Sequence, residues 1–96
     1  MKVGVIDTGI DYTHPELGTV QIGPNYSTTG TDSYDDAASR HATAVSGIIG
    51  ARGANGPGQT SGVAGVNWGT QLVAIKVLNS AGSGSSSAIT QGVDWA

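Results

Sequence analysis

The sequence predicts an α/β fold built on a parallel, doubly wound sheet, in the order strand, loop, helix, strand, helix. Two apolar runs, Lys2–Asp7 and Gln71–Leu78, carry apolar residues on both faces, which suits strands covered by helices on either side. Between them, from Ser39 onward, apolar residues recur at helical spacing, and a connection of that length with a helix in it implies a right-handed crossover between parallel strands. After the second run the helical spacing returns and continues to Ala96.

Ninety-six residues allow one domain with a small core. Sixteen glycines against two Trp, three Tyr and no Phe leave few large rings to fill that core and many sites for tight turns. A formal net charge of −3 without any Lys/Arg cluster argues against nucleic acid or an anionic membrane as partner. With no cysteine, a disulfide framework, a thiolate metal site and a thiol nucleophile are all excluded. No run approaches the roughly 18 apolar residues of a membrane span. The opening Met-Lys-Val-Gly-Val lacks the form of a signal peptide, so the expectation is either a protein that is not exported or a missing natural N-terminus.

Taken in order, Val3, Val5 and Ile6 end abruptly at Asp7, followed by Thr8-Gly9, so the first strand delivers a carboxylate into a turn. Carboxyl ends of parallel strands are where ligands and chemistry gather. Thr19-Val20-Gln21-Ile22 alternates like a second, weaker strand. Ser27 to Arg40 is Ser, Thr, Gly, Asp and Tyr with hardly an aliphatic residue and reads as an irregular surface loop, with Asp32, Asp35 and Asp36 solvated in it. The first helix has Ser39 as its expected N-cap, His41 in its first turn and Ala44, Val45, Ile48 and Ile49 as its apolar face. Gly53 to Gly69 forms a long glycine-rich connection. The last helix opens after Gly82-Ser83-Gly84-Ser85 with serine as cap and places Ala88, Ile89, Gly92, Val93 and Ala96 on one face. A stripe that runs to the last residue predicts a chain cut off at Ala96 as well as at Met1.

Asp7 and His41 carry the chemistry. In a doubly wound unit, the end of the first strand and the start of the next helix open on the same sheet edge, so the two can meet although 34 positions separate them. A helix N-terminus disfavours a charged imidazolium and leaves the ring able to accept a proton, as a general base must. An acid set on a histidine nitrogen is two thirds of a nucleophilic triad. Each residue also has a plain reading, Asp7 as a turn former and His41 as a surface side chain. His14 is read as structural, because a zinc site needs three or four ligands and no such set has workable spacing. The D-S-Y-D-D run lacks the alternation and central glycine of a calcium loop.

These residues carry a family resemblance. Val5-Ile6-Asp7-Thr8-Gly9-Ile10-Asp11 with His14-Pro15-Glu16-Leu17 resembles the aspartate motif of subtilisin-like serine proteases, the subtilases, and His41-Ala42-Thr43-Ala44-Val45-Ser46-Gly47 resembles their histidine motif. Gly62-Val63-Ala64-Gly65, Leu72 to Leu78, Gly82 to Ser85 and Gly92 to Ala96 are similar to the strand, substrate-edge loop and helix that follow in the family. The resemblance spans nearly the whole chain and implies that residues 1–96 are a partial, N-terminal part of a subtilisin-like catalytic domain. It implies Asp7 as triad acid and His41 as general base, with Gly82, Ser83 and Gly84 at the substrate cleft and a polypeptide as substrate. The serine lies in a Gly-Thr-Ser motif in the family, and no such motif occurs here; Thr60-Ser61 follows Gln59 and is a decoy. The expected function is therefore serine endopeptidase in the full-length parent, with the 96-residue chain itself inactive. The alternatives are a non-catalytic relative, or a small-molecule or nucleotide-binding module; the latter is disfavoured because Gly82 to Ser87 lacks the third glycine of G-x-G-x-x-G.

Departures from the family pattern fall in the histidine motif. Ala42 stands where Gly is usual, Arg40 where a small residue is usual and Ala44 where a second His is frequent, which puts efficiency in question. No cofactor is required for the chemistry the resemblance implies. Calcium as a structural ion is a weak carry-over, with Glu16 as its candidate ligand and the Ala54 to Thr60 loop as the wrapping segment. The family also implies an extracellular location.

Overall fold

The computed structural model describes residues 2–27, 32–51, 65–67 and 70–96. Three strands, β1 (Lys2–Asp7), β2 (Val20–Asn25) and β3 (Gln71–Lys76), form one parallel sheet in the order β1-β3-β2. Helix α1 (His41–Gly50) lies between β2 and β3 in sequence, α2 (Ser86–Trp95) follows β3, and a 3₁₀ turn covers Pro15–Leu17. The chain thus has the α/β, parallel architecture expected of it, with β1 and β3 in register from Lys2 beside Gln71 to Asp7 beside Lys76.

The near-continuous apolar run of β3 is explained by its central position, with a partner strand on each side and a packed layer on each face. Val5, Ile10, Leu17, Val20, Ala42, Leu72 and Ala74 form one buried cluster, which takes in α1. Val73, Ile75, Val77 and Ala88 form the other, which takes in α2. Alternate residues of β3 supply the two cores, as the period of a strand requires. The weaker strand is longer than the alternating segment indicated, and its register shifts between Ile22 and Asn25 around Pro24. Proline cannot donate to a ladder and is tolerated because β2 is the outer strand among the described residues.

Two helix expectations are corrected. The buried face of α1 is Ala42, Ser46 and Gly50, not Ala44 and Ile48, which are exposed, while Val45 and Ile49 are half-buried. Small residues at four-residue spacing let the helix sit close to the sheet, so the bulkier stripe is rotated outward. Ser39 is not the N-cap: Arg40 holds that position, with φ 52° and ψ 39° and no side-chain cap. The freed N–H groups are satisfied from outside the helix, Ala42 N by Thr8 Oγ1 at 3.3 Å and Thr43 N by Asp35 Oδ2 at 3.1 Å. In α2 the serine cap holds, since Ser85 Oγ accepts from Ala88 N at 3.1 Å, and its buried face narrows to Ala88 and Gly92, with Ile89 and Val93 exposed.

Candidate active site

β1 ends on Asp7 and α1 begins on His41, both at the carboxyl edge of the sheet. Their side chains meet: His41 Nδ1 lies 2.9 Å from Asp7 Oδ2. The other carboxylate oxygen accepts from Thr8 N at 2.7 Å, and the Asp7 carbonyl accepts from Val77 N and Leu78 N. Asp7 is therefore fixed by backbone on two sides, with a side chain only 15% exposed against 63% for His41. With Nδ1 engaged by the acid, the ring's Nε2 is the nitrogen left for an incoming group.

The turn after Asp7 is built for close approach. Gly9 has φ 104°, and a Cβ there would lie 2.3 Å from the Ser33 carbonyl oxygen, so only glycine lets the turn lie against the 33–35 segment. Ile10 N then donates to that same carbonyl at 3.0 Å.

A pocket of about 320 Å³ opens on the pair, lined by Asp7, Thr8, Ser39, His41, Leu78 and Gly82. Of the three cleft residues the sequence singled out, Gly82 thus shares the pocket of Asp7 and His41. Ser83 and Gly84 line a neighbouring one with Tyr26, Ser27 and Asn79. Arg40 is turned to another place: its guanidinium donates to the Asp35 carbonyl and lies 5.3 Å over the Tyr34 ring. Its left-handed backbone, φ 52°, is one that glycine adopts without strain. The Ala42 methyl lies in the buried cluster with Val5, Ile10 and Leu72. His14 is structural, its Nδ1 accepting from Glu16 N at 3.2 Å.

The loop before α1 is not a solvated run. Of its three aspartates, Asp35 is fully buried while Asp32 and Asp36 are exposed. Asp35 Oδ1 accepts from Thr8 Oγ1 at 2.9 Å and Ala37 N at 3.2 Å, and Oδ2 from Thr43 Oγ1 at 2.6 Å and Thr43 N at 3.1 Å. Asp36 accepts from Lys76 Nζ at 2.7 Å, and that buried ammonium also donates to the Thr8 carbonyl at 2.5 Å. Sequence reading missed Asp35 and Lys76; the signal available was a threonine one residue after the acid and another two residues after the histidine.

Beside the site, the hydrogen bond from Thr13 Oγ1 lowers the Asp11 carboxyl below its ordinary range, and the hydrogen bond to Asp32 raises the Tyr12 phenol.

The sequence model described as Subtilase family matches residues 1–96. The chain belongs to the subtilase family. Over 96 residues this subtilase chain is 43% identical to Subtilisin DY of Bacillus licheniformis, covering 100% of its own length and 32% of that protein's. It is likewise 43% identical to Subtilisin E of Bacillus subtilis (strain 168), of which it covers 23%. A solved structure described as a cold adapted subtilisin-like serine proteinase superposes with a TM-score of 0.78 at 34% identity, over 98% of this chain and 30% of that one. The subtilase chain thus spans between 23% and 32% of the length of these curated relatives.

Among the described residues no group of three or more His, Asp or Glu side chains converges on a metal position. Glu16 borders a pocket with Asp11 and His14, and the 54–60 loop lies outside the described residues, as do Thr60-Ser61 and Gly62 to Ala64. No helix among the described residues is long and apolar enough to cross a membrane.

Proposed function

We propose that residues 1–96 supply the acid and the base of a serine endopeptidase whose full-length form hydrolyses polypeptides outside the cell. The observation that carries this reading is the 2.9 Å contact between His41 Nδ1 and Asp7 Oδ2, opening on a pocket bounded by Leu78 and Gly82. In this reading Asp7 accepts the Nδ1 proton and fixes the tautomer, so that Nε2 faces the pocket as an acceptor. His41 takes the hydroxyl proton of a serine as that oxygen attacks the scissile carbonyl, and returns it to the departing amine. Asp7 stabilises the imidazolium in between and keeps its own charge. No Gly-Thr-Ser motif lies within residues 1–96, so the nucleophile and the oxyanion donors belong to other parts of the parent. The substrate backbone adds as a strand along the loop at Gly82, Ser83 and Gly84, an interaction that depends little on side-chain identity.

The test is amide hydrolysis by the full-length protein. For subtilisin itself, loss of the histidine costs about 2 × 10⁶ in kcat and loss of the acid about 3 × 10⁴, and the same scale is expected for His41→Ala and Asp7→Asn. Activity that survives His41→Ala at the parent level overturns the assignment. The 96-residue chain alone is expected to cleave nothing. Cleavage by it that disappears with Ser61→Ala and with a serine-directed inhibitor would require a different nucleophile from the one proposed.

A further inference from the structure

We propose that Asp35 is a positioning residue for the Asp7–His41 pair: its buried carboxylate fixes the spacing of acid and base by holding the residue after one and a residue just past the other. The inference rests on reading that pair as the acid and base of a peptidase.

Asp35 has no exposed surface. The four described hydrogen bonds of its carboxylate are all accepted, which fills the lone-pair capacity of the group, and they divide by oxygen. Oδ1 takes the hydroxyl of Thr8, one residue beyond Asp7, and Oδ2 takes both the N–H and the hydroxyl of Thr43, two residues beyond His41. The threonines extend the clamp. Thr8 Oγ1 accepts from Ala42 N at 3.3 Å, and Thr43 Oγ1 accepts from Asp11 N at 2.9 Å, so each hydroxyl links the β1 turn to the first turn of α1.

Such a clamp is needed because α1 has no local device that fixes its start. The residue before His41 is in a left-handed conformation and provides no side-chain cap. The Asp35 carboxylate acts as the cap instead, and it is tied to β1 through the same group. Lys76 secures the clamp to the sheet from below, bonding Asp36 and the Thr8 carbonyl. Asp35 has no described hydrogen bond to His41 or Asp7 and acts through Thr8 and Thr43.

The experiment uses the full-length protein and its Asp35→Asn, Thr43→Val and Thr43→Ser variants. An asparagine presents an amide donor where two donors already converge, and Thr43→Val keeps the shape while removing both bonds of the hydroxyl, to Asp35 Oδ2 and from Asp11 N. Displacing a catalytic group by about 1 Å costs on the order of 10²-fold in rate. Asp35→Asn is therefore expected to lower kcat on that scale with KM nearly unchanged, Thr43→Val to lower it less, and Thr43→Ser to restore it. The second readout is the low-field NMR signal of the His41 Nδ1 proton, which reports its bond to Asp7 without any turnover. It is expected to weaken or move in Asp35→Asn and Thr43→Val and to hold in Thr43→Ser. If the melting temperature falls while kcat and the low-field signal stay at parent values, Asp35 is only structural and the proposal fails. Should Asp35→Asn not fold, the two Thr43 variants decide by the same criteria. A parent protein that hydrolyses no peptide defeats the peptidase reading, while the NMR signal still decides the positioning.

Discussion

Gly82 and Gly84 are near neighbours in one exposed loop, and the structure predicts opposite reasons for having no side chain there. At Gly84 a Cβ would lie 2.3 Å from the Val77 carbonyl oxygen and 2.8 Å from Leu78 Cδ2. The first of these is backbone at the end of β3 and cannot yield cheaply, which puts Gly84→Ala at the upper end of overpacking costs, about 3 kcal/mol. At Gly82 nothing lies within 4 Å, but φ is 80°, so Gly82→Ala costs only the strain of a left-handed backbone, about 1 kcal/mol. The difference of about 2 kcal/mol is well within reach of urea denaturation of the full-length protein; with a slope of about 2 kcal/mol per molar, the midpoint falls by about 1.5 M for Gly84→Ala and about 0.5 M for Gly82→Ala. In peptide assays the ranking is expected to invert for folded protein: Gly82→Ala, in the pocket of Asp7 and His41, raises KM for long peptides more than for short ones. A Gly84→Ala midpoint within a few tenths molar of the parent would refute the clash with the Val77 carbonyl.

Three further outcomes follow from named contacts. Ser85→Ala removes the oxygen that caps Ala88 N and is expected to cost about 1 kcal/mol, read as faster amide exchange through the first turn of α2; unchanged exchange there contradicts the cap. Ala42→Gly restores the residue usual in the family but empties a buried methyl position in the first turn of α1, for a loss of about 1 kcal/mol in a denaturation experiment. A variant as stable as the parent would show that the Ala42 methyl is not in the core. Thr13→Val is expected to raise the Asp11 titration midpoint towards 3.8, because the Thr13 hydroxyl is the main cause of its depression. A carboxyl held low in the folded state stabilises above its unfolded value and loses that contribution as pH falls through the folded one. The stability of Thr13→Val should therefore fall short of the parent near neutrality and converge with it in acid; a gap that widens in acid has the wrong sign.

The sequence displayed the sheet because its signal is local. Lys2–Asp7 and Gln71–Lys76 each carry apolar residues on both faces, and such a run has few places to go except the inside of a two-sided sheet. The order β1-β3-β2 was not legible, since the short Thr19–Ile22 segment gives no sign of which neighbour it joins. The rotation of α1 was hidden for a related reason. Hydrophobic periodicity finds the bulkiest stripe, Ala44 with Ile48, whereas the helix packs by its smallest residues, Ala42, Ser46 and Gly50, because close approach to the sheet requires them.

The meeting of Asp7 and His41 was legible because each sits at a boundary between element types, Asp7 closing a strand and His41 opening a helix, and a topology with both boundaries on one edge brings them together. Asp35 was not, because a polar loop residue announces nothing about its burial. Its environment comes from two threonines distant in sequence, 27 residues before it and 8 after it, and only closure of the fold turns three weakly informative polar residues into one saturated carboxylate. Burial without those donors would cost several kcal/mol, so the Asp35 position and the two hydroxyls stand or fall as a set. That interdependence is what makes the group a suitable spacer. A carboxylate with every acceptor site filled has one low-energy arrangement, and the elements bonded to it, the turn after Asp7 and the first turn of α1, inherit that single geometry.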